Sequence, residues 1–217
     1  MPKSLEPIWL PFLLVIGAPT TGVAQFILPA FALGPGITAP TGEYHSDALG
    51  HGFSPGWQGM ALIDLAVHSS GFGLRVEGLY GRNTANDKLK ADLTTLFGVP
   101  ADQRIRLAGA ALDVSYAVRS VLPLTPYILA GVGFYNINLS MTSGGATRDT
   151  SLTEFGWNAG GGVRHRVGGV SVFLEARFLS VARVLNQGRY YGGTFYHTDG
   201  IQVEQVGMIA GVRFGTE

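Results

Sequence analysis

The chain has 217 residues and no cysteine, which excludes a disulfide framework, iron–sulfur clusters, cysteine-ligated zinc and thiol catalysis. Its 15 Lys and Arg residues balance 15 Asp and Glu residues, and a net charge of zero argues against a nucleic-acid or polyanion partner. With 46% hydrophobic residues and 32 glycines, the composition favours closely packed strands and tight turns over long helices.

The first 24 residues have the order of an export signal. Lys3 supplies a weak basic start, residues 8–17 an apolar core, and Gly22, Val23 and Ala24 a small-residue cleavage pattern. The alternatives are a hydrophobic first strand or an anchor helix. However, Pro11 interrupts the apolar run, which is shorter than the roughly 20 residues of a spanning helix. We therefore predict export by the general secretion route, a signal peptide at residues 1–24 and one mature domain at residues 25–217.

Eight segments of strand character follow, each longer than the roughly 9 to 11 residues of a tilted transmembrane strand. They cover residues 26–38, 57–68, 72–83, 104–118, 126–140, 153–166, 169–182 and 201–214. Long connections at residues 39–56, 83–103, 141–152 and 182–200 alternate with short ones at residues 69–71, 119–125 and 167–168. This alternation is typical of a membrane barrel that has short periplasmic turns and long outer loops.

Apolar and polar side chains alternate with period two in several of these strands. From residue 72 onward, Phe72, Leu74 and Val76 share one face, while Arg75 and Glu77 lie on the other. A membrane barrel turns the apolar face outward, whereas a soluble lipocalin-like barrel, the alternative fold, turns it inward. The charged face is also rich in glycine, which suits the filled interior of a narrow barrel.

Aromatic residues on the apolar face form two bands, as expected at the two membrane interfaces. The band near the long loops contains Trp57, Tyr80 and Trp157, and the band near the short turns contains Phe72, Tyr116 and Phe214.

Several short motifs accompany this pattern: Gly34-Pro35-Gly36, Pro40-Thr41-Gly42, Pro126-Tyr127, Gly131-Val132-Gly133, Glu175-Ala176-Arg177 and Gly211-Val212-Arg213-Phe214. With them the chain resembles the outer-membrane protein β-barrel family, the small OmpA/OmpX-type eight-stranded barrels of Gram-negative bacteria. Gly215, Thr216 and Glu217 depart from the family pattern, in which the last strand ends on its aromatic residue.

The resemblance implies an all-β, eight-stranded antiparallel up-and-down transmembrane β-barrel, located in the cell outer membrane as a multi-pass, porin-like protein. It also implies outer-membrane lipid and the barrel-assembly machinery as partners.

The inward face carries charges that we expect to form a network plugging the periplasmic half of the lumen, because isolated interior charges are costly. These residues are Asp64, Arg75, Glu77, Asp113, Arg164, Glu175, Arg177 and Arg213. A gated ion or proton path is the functional alternative to a purely structural plug, since ionisable groups inside membranes are often functional.

Two outer loops have patterns of their own. Residues 87–97 place leucines at helical spacing after a capping-type Asp87, which predicts a short amphipathic helix lying on the membrane or packed on its own barrel. The last loop carries four aromatic residues, which either contact a ligand or extend the flanking strands. They are Tyr190, Tyr191, Phe195 and Tyr196.

Two further patterns are weaker. His45, Asp47, His51 and His197 lie in loops that a closed barrel makes neighbours, but their spacing is not fixed, so we predict no metal and no cofactor. His68, Ser69 and Ser70 suggest a lipid hydrolase only superficially because they occupy a turn.

We predict a non-enzymatic outer-membrane barrel, monomeric or weakly associated, with a plugged polar lumen, which acts structurally or binds an external ligand through its loops. The alternatives are a narrow channel for small or hydrophobic solutes and, third, a lipid A-modifying enzyme.

Overall fold

The computed structural model describes residues 28–46, 50–66, 71–118, 123–184, 189–191, 194–196 and 201–215. In chain order its elements are β1 (Leu28–Thr41), α1 (Gly42–His45), β2 (Gly56–Ala66), β3 (Phe72–Thr84), α2 (Asp87–Phe97), β4 (Ala101–Ala117), β5 (Leu124–Ser143), β6 (Ala146–Val167), β7 (Val170–Val184), β8 (Arg189–Tyr191), β9 (Thr194–Tyr196) and β10 (Ile201–Phe214). All eight predicted strands are present as long strands.

Eight long strands close into one antiparallel barrel, in the order β1, β2, β3, β4, β5, β6, β7 and β10. The chain ends complete the ring, because β1 pairs with β10 in a register that places Phe31 opposite Phe214. The prediction of an eight-stranded up-and-down barrel is confirmed. Strands β8 and β9 form a separate hairpin in the loop between β7 and β10.

The outer surface of the barrel is apolar and its charges point inward. Along β3 the side chains alternate strictly, so that Phe72 and Val76 are exposed while Arg75 and Glu77 are buried. This is the arrangement of a membrane barrel. The soluble lipocalin-like alternative, which requires the apolar face inside, is wrong.

The connection between β5 and β6 differs from the prediction. Residues 141–152 were expected to form a long loop, but β5 and β6 continue to a two-residue turn at Gly144 and Gly145. Both glycines have positive φ angles, which favour glycine and allow this tight turn. The outward residues become polar here while the ladder continues, so the apolar alternation stops well before the strands do.

The helix predicted at residues 87–97 is present as α2, although Asn86 rather than Asp87 caps it. The Asn86 side chain accepts a hydrogen bond from the Leu89 N–H at 2.8 Å. Within the described residues, no helix is long and apolar enough to cross a membrane. The predicted signal peptide, Asp47, the His68-Ser69-Ser70 turn and His197 lie outside the described residues.

Candidate functional site

The lower half of the lumen, at the end with the short turns, holds an ion-pair network centred on Arg177. Its Nη2 lies 2.6 Å from a carboxylate oxygen of Glu175 and 3.8 Å from one of Asp113. Its Nη1 donates a hydrogen bond to Glu77. Arg177 therefore contacts three buried carboxylates that arrive from three different strands.

A second layer of contacts extends this network across the barrel. The Arg75 Nη1 donates to Glu175 Oε2 at 2.7 Å, and the Tyr127 hydroxyl donates to the same oxygen at 2.9 Å. Asn158 donates from Nδ2 to Asp113 Oδ1 at 2.9 Å. Arg–carboxylate hydrogen bonds of this kind are among the stronger polar contacts in proteins.

The floor of the lumen has looser contacts around Asp64. Its Oδ2 lies 3.4 Å from Arg213 Nε and 4.0 Å from Arg164 Nη1. The guanidinium groups of Arg75 and Arg164 also lie over the Tyr127 ring, at 5.5 Å and 6.0 Å from its centroid. The structure thus brings all eight charged residues that the alternation turned inward into one region, with four arginines and four carboxylates.

The upper half of the lumen contains an apolar cluster beside buried polar side chains such as Thr38, Gln58 and Gln205, whereas the charges predicted for the lower half lie below it. The apolar inward side chains there belong to a buried cluster that continues into the loops. Its strand members in the upper half include Leu79, Ile105, Leu107, Ile137, Leu139, Leu179, Val181 and Val203. The sequence interpretation missed this layer because strands that rise above the membrane bury apolar residues inside while their outer face is polar.

Two short loop elements cover this apolar layer. Tyr44 of α1 is buried, stacks with Phe53 at 5.1 Å between ring centroids, and donates a hydrogen bond to Asn83 Oδ1 at 3.1 Å. Burial raises the pKa of the Tyr44 phenol, because a phenolate would be desolvated there. In α2, Leu93 is buried and Leu89 packs against the cluster, so the helix packs on its own barrel.

The aromatic residues of the two predicted bands lie on the outer surface, where all six are exposed. Trp57 packs against Tyr80 in the upper band, with ring centroids 5.5 Å apart, and Phe72 packs against Tyr116 in the lower band at 4.8 Å. Eight residues separate Phe72 from Tyr80 on one strand, a height of about 20 Å at ~3.3 Å per residue and ~40° tilt. That height suits the apolar belt of a membrane barrel.

Three strands continue above the upper band as a sheet, which we call the protruding sheet. It consists of the upper parts of β4, β5 and β6. Outside the barrel, Phe134 faces Phe155, and the next outward pair is Asn136 with Thr153, which are hydrogen-bonded at 3.1 Å. Above this point the exterior is polar. From Phe155 to Ala146 the sheet adds nine residues, or about 30 Å of strand.

The protruding sheet has an open edge and an apolar tip. Pairing between β6 and β7 begins at Gly156 with Val181, and within the described residues no strand pairs with residues 146–155 on that side. Leu96, Phe97 and Val99 are exposed where α2 leads into β4, and Val99 lies beside the Gly144 turn. A group of neighbouring apolar side chains exposed to water above the membrane is typical of a surface that contacts another molecule.

The remaining predicted loop residues are only partly described. Tyr190, Tyr191, Phe195 and Tyr196 lie in the β8–β9 hairpin, whose side chains are outside the described part of the structure. His51 pairs with Asp92 of α2, which ties the first loop to the helix. Across the described ranges, no group of three or more His, Asp or Glu side chains is arranged to hold a metal ion.

Tyr127 and Tyr135 are interior residues that sequence reasoning did not identify. Both are buried, and each lies against a glycine of a neighbouring strand. A Cβ atom at position 109 would clash with the Tyr135 ring, and one at position 162 would clash with the Tyr127 hydroxyl. The available signal was the set of glycines on the inward faces of the neighbouring strands. These glycines identify the tyrosines that they face only when the strand register is known.

Comparison with solved structures identifies barrels of the same fold. A major outer membrane protein from Thermus thermophilus aligns with a TM-score of 0.54 and 14% identity, covering 87% of this chain and 99% of that chain. Ail, the attachment invasion locus protein of Yersinia pestis, solved in complex with the heparin analogue sucrose octasulfate, aligns with a TM-score of 0.51 and 8% identity, covering 88% and 100%. No protein-family model and no curated protein matches the sequence.

The apolar exterior, the aromatic bands and the buried charges are those of a barrel that crosses a membrane on every strand. The solved barrels with this architecture are outer-membrane proteins, in agreement with the predicted multi-pass location in the outer membrane. The chain therefore has the closed, eight-stranded antiparallel fold of the outer-membrane β-barrels that its sequence resembles.

Proposed function

We propose that the protein is a non-enzymatic, monomeric surface-binding barrel of the outer membrane, which binds an external partner through the protruding sheet and the adjoining end of α2. The observation that carries this proposal is the apolar tip formed by Leu96, Phe97 and Val99. It lies at the end of α2 and in the turn that leads into β4, well above the upper aromatic band. In this proposal the membrane lipid and the barrel-assembly machinery are its other partners.

The filled lumen supports a binding role over transport. Buried ion pairs occupy its lower half, and buried apolar and uncharged polar side chains occupy its upper half. An eight-stranded barrel has an interior that side chains are just able to fill. A solute would have to displace both layers in order to pass.

The construction of the tip also supports binding. Leu96 and Phe97 belong to a helix that packs on the barrel, and Val99 directly precedes a strand that is paired with β5. Presenting side chains on ordered elements lowers the entropy lost on association. The open edge of β6 offers backbone N–H and C=O groups beside the tip, and such edges accept added strands from extended peptides.

An adhesion assay tests the proposal. A host strain without adhesins of its own would display the full chain, and its retention on basement-membrane matrix and on epithelial cell layers would be measured. We expect retention above that of the empty host, and a loss of at least tenfold in the double variant Leu96→Ser, Phe97→Ser. Asp87→Ala is the matched control, because Asp87 is exposed at the other end of α2. Equal retention of the wild-type strain and the empty host would contradict the proposal.

Gated conduction is a second candidate, favoured by the eight ionisable residues inside the membrane-spanning part of the barrel. In this case the network of Arg177 would open and close a narrow path, and the function would depend on the lumen rather than the tip. Conductance measurements separate the two candidates.

A further inference from the structure

Two arginines are neighbours on the outer wall of the barrel, just above the upper aromatic band. The register places Arg82 of β3 opposite Arg106 of β4, and the next outward pair below them is Tyr80 with Ala108. Both arginines share the outward face with that pair and are half-buried. Two residues of tilted strand correspond to a rise of about 5 Å. Because interfacial aromatic rings lie at the level of the lipid head groups, the two guanidinium groups lie at the head-group level or just above it.

The charge of this pair is not balanced by carboxylates of the chain. In the part of the chain that the structure describes, neither Arg82 nor Arg106 forms an ion pair or a side-chain hydrogen bond. Asp102, on the same face of β4, binds Arg104 instead, at 3.2 Å. Like charges that are directly opposite on paired strands repel each other. An anion bound between the two guanidinium groups would relieve this repulsion.

The surroundings of the pair are polar on one side and apolar on the other. Asn138 of β5 lies opposite Arg106, and its amide has no hydrogen-bond partner among the described residues. Arg82 lies opposite Trp57 of β2, which is exposed. Guanidinium groups bind phosphate oxygens through pairs of N–H donors, so the row offers several donors to one phosphate.

The wall below the pair is apolar, which identifies the kind of molecule that carries the phosphate. Tyr80 and Val76 follow on the outward face of β3, and both are exposed. A ligand with an anionic head and hydrocarbon chains would contact the arginines and this wall at the same time. Neither a free anion nor a soluble polysaccharide would use the apolar part of the surface.

We propose that Arg82 and Arg106 bind the phosphate of a phosphorylated lipid in the outer leaflet of the membrane. Its acyl chains lie along the apolar wall below, and its head group lies against the row of donors. The site is separate from the apolar tip of the protruding sheet, so it does not depend on the proposed binding of an external partner.

Binding of a defined lipid tests the site in the wild-type protein. The refolded full chain in detergent would be titrated with lipid A that carries its phosphates, and with the same lipid after the phosphates have been removed. Native mass spectrometry would count the bound lipid. We expect the phosphorylated lipid to bind at least tenfold more tightly. Equal binding of the two lipids would overturn the proposal.

A double variant assigns the preference to the two arginines. In Arg82→Gln, Arg106→Gln we expect the preference for phosphorylated lipid to be lost. The control Arg148→Gln, Arg166→Gln removes the same charge from two exposed arginines outside the row and should keep the preference. The folded band of unboiled gel samples shows that each variant is folded. A wild-type preference in the first variant would show that other groups bind the phosphate, which would overturn the site.

Inorganic phosphate separates a lipid site from a site for soluble anions. A large molar excess, at constant ionic strength, should leave the lipid bound, because the acyl chains contribute contacts that the free ion lacks. Displacement of lipid A by inorganic phosphate in the wild type would assign the arginines to a soluble anion, against the proposal.

Discussion

At the scale of single residues, Arg177 links most of the charge in the lumen. It contacts Glu77, Glu175 and Asp113, three of the four carboxylates in the network. These groups are almost completely buried, so water cannot solvate them if the arginine is lost. The net contribution of the ion pairs to stability is offset by the desolvation of every charge.

Replacing Arg177 by methionine should lower the free energy of unfolding by about 3–5 kcal/mol, because it leaves buried carboxylates without their cation. Urea unfolding of the refolded barrel, followed by tryptophan fluorescence, measures this. The double variant Arg177→Met, Glu77→Gln should recover part of the loss. Arg148→Met, at an exposed arginine of the protruding sheet, should have little effect. Equal effects at positions 177 and 148 would mean that the network contributes no specific stability.

Tyr44 gives a pH dependence to the packing of the first loop. Burial raises the pKa of its phenol, whereas the undocked phenol titrates near its ordinary value of about 10. The undocked state therefore loses its proton first as the pH rises. The stabilisation of the loop is fully present below about pH 10 and decreases above it.

We expect α1 to detach progressively above about pH 10 in the wild type, and Tyr44→Phe to remove this alkaline response. The variant should also weaken docking at neutral pH by about 1 kcal/mol, because it loses the hydrogen bond to Asn83. Aromatic carbon NMR signals of Phe53, which stacks on Tyr44, report docking. An alkaline transition of the same size in both proteins would assign it to another group.

At the scale of elements, the barrel depends on matching large inward side chains with glycines on neighbouring strands. Tyr135 of β5 lies opposite Gly109 of β4, and a Cβ atom at position 109 would clash with the Tyr135 ring. The ring is almost completely buried and packs in the layer that joins the charge network to the apolar cluster. Glycine at this position provides the space that the tyrosine fills.

Gly109→Ala should therefore destabilise the barrel by about 1–3 kcal/mol through overpacking. Gly59→Ala is the matched control, since a Cβ atom at position 59 meets nothing within 4 Å. The two variants can be compared by the temperature at which the folded band disappears in unboiled gel samples. A loss at position 59 as large as that at position 109 would contradict an effect specific to Tyr135.

Much of the barrel could be predicted from the sequence because period-two alternation reports which face meets lipid. The prediction was wrong where this alternation of apolar and polar side chains ends. Outside the membrane Asn136 and Thr153 are polar and outward, so the upper parts of β5 and β6 read as a loop. In β1, Pro35 lacks an N–H, and the pairing with β10 is interrupted between Leu33 and Gly36, which obscured the strand pattern.

The lumen charges could be predicted individually but their partners could not. Alternation alone places Arg75 and Glu175 on inward faces. Their hydrogen bond joins residues 100 positions apart and depends on the closed register of the barrel. Tyr127 joins the same carboxylate from a third strand, and nothing near it in the sequence distinguishes it from an outward aromatic residue.

At the scale of the whole molecule, two layers of buried side chains lie one above the other in the lumen. Charged side chains fill the lower half, and apolar side chains under α1 and α2 fill the upper half together with uncharged polar ones. Flow through barriers in series requires both to open. Removing one leaves the other intact, and this separates a structural plug from a gate.

We expect the wild-type barrel to show no steady conductance in planar bilayers, and Glu175→Gln and Arg177→Ala to remain closed as well. Each substitution disturbs only the lower layer, while Ile137 and Val181 still fill the lumen above it. If the network were instead the gate of a channel, either substitution alone would change the conductance. Single-channel recording of refolded protein makes the comparison, and a folded-band shift on unboiled gels confirms that each variant is inserted. A discrete conductance in Arg177→Ala that the wild type lacks would favour the channel over the surface-binding function. It would show that ions pass the upper layer once the charge network of the lower layer is disrupted.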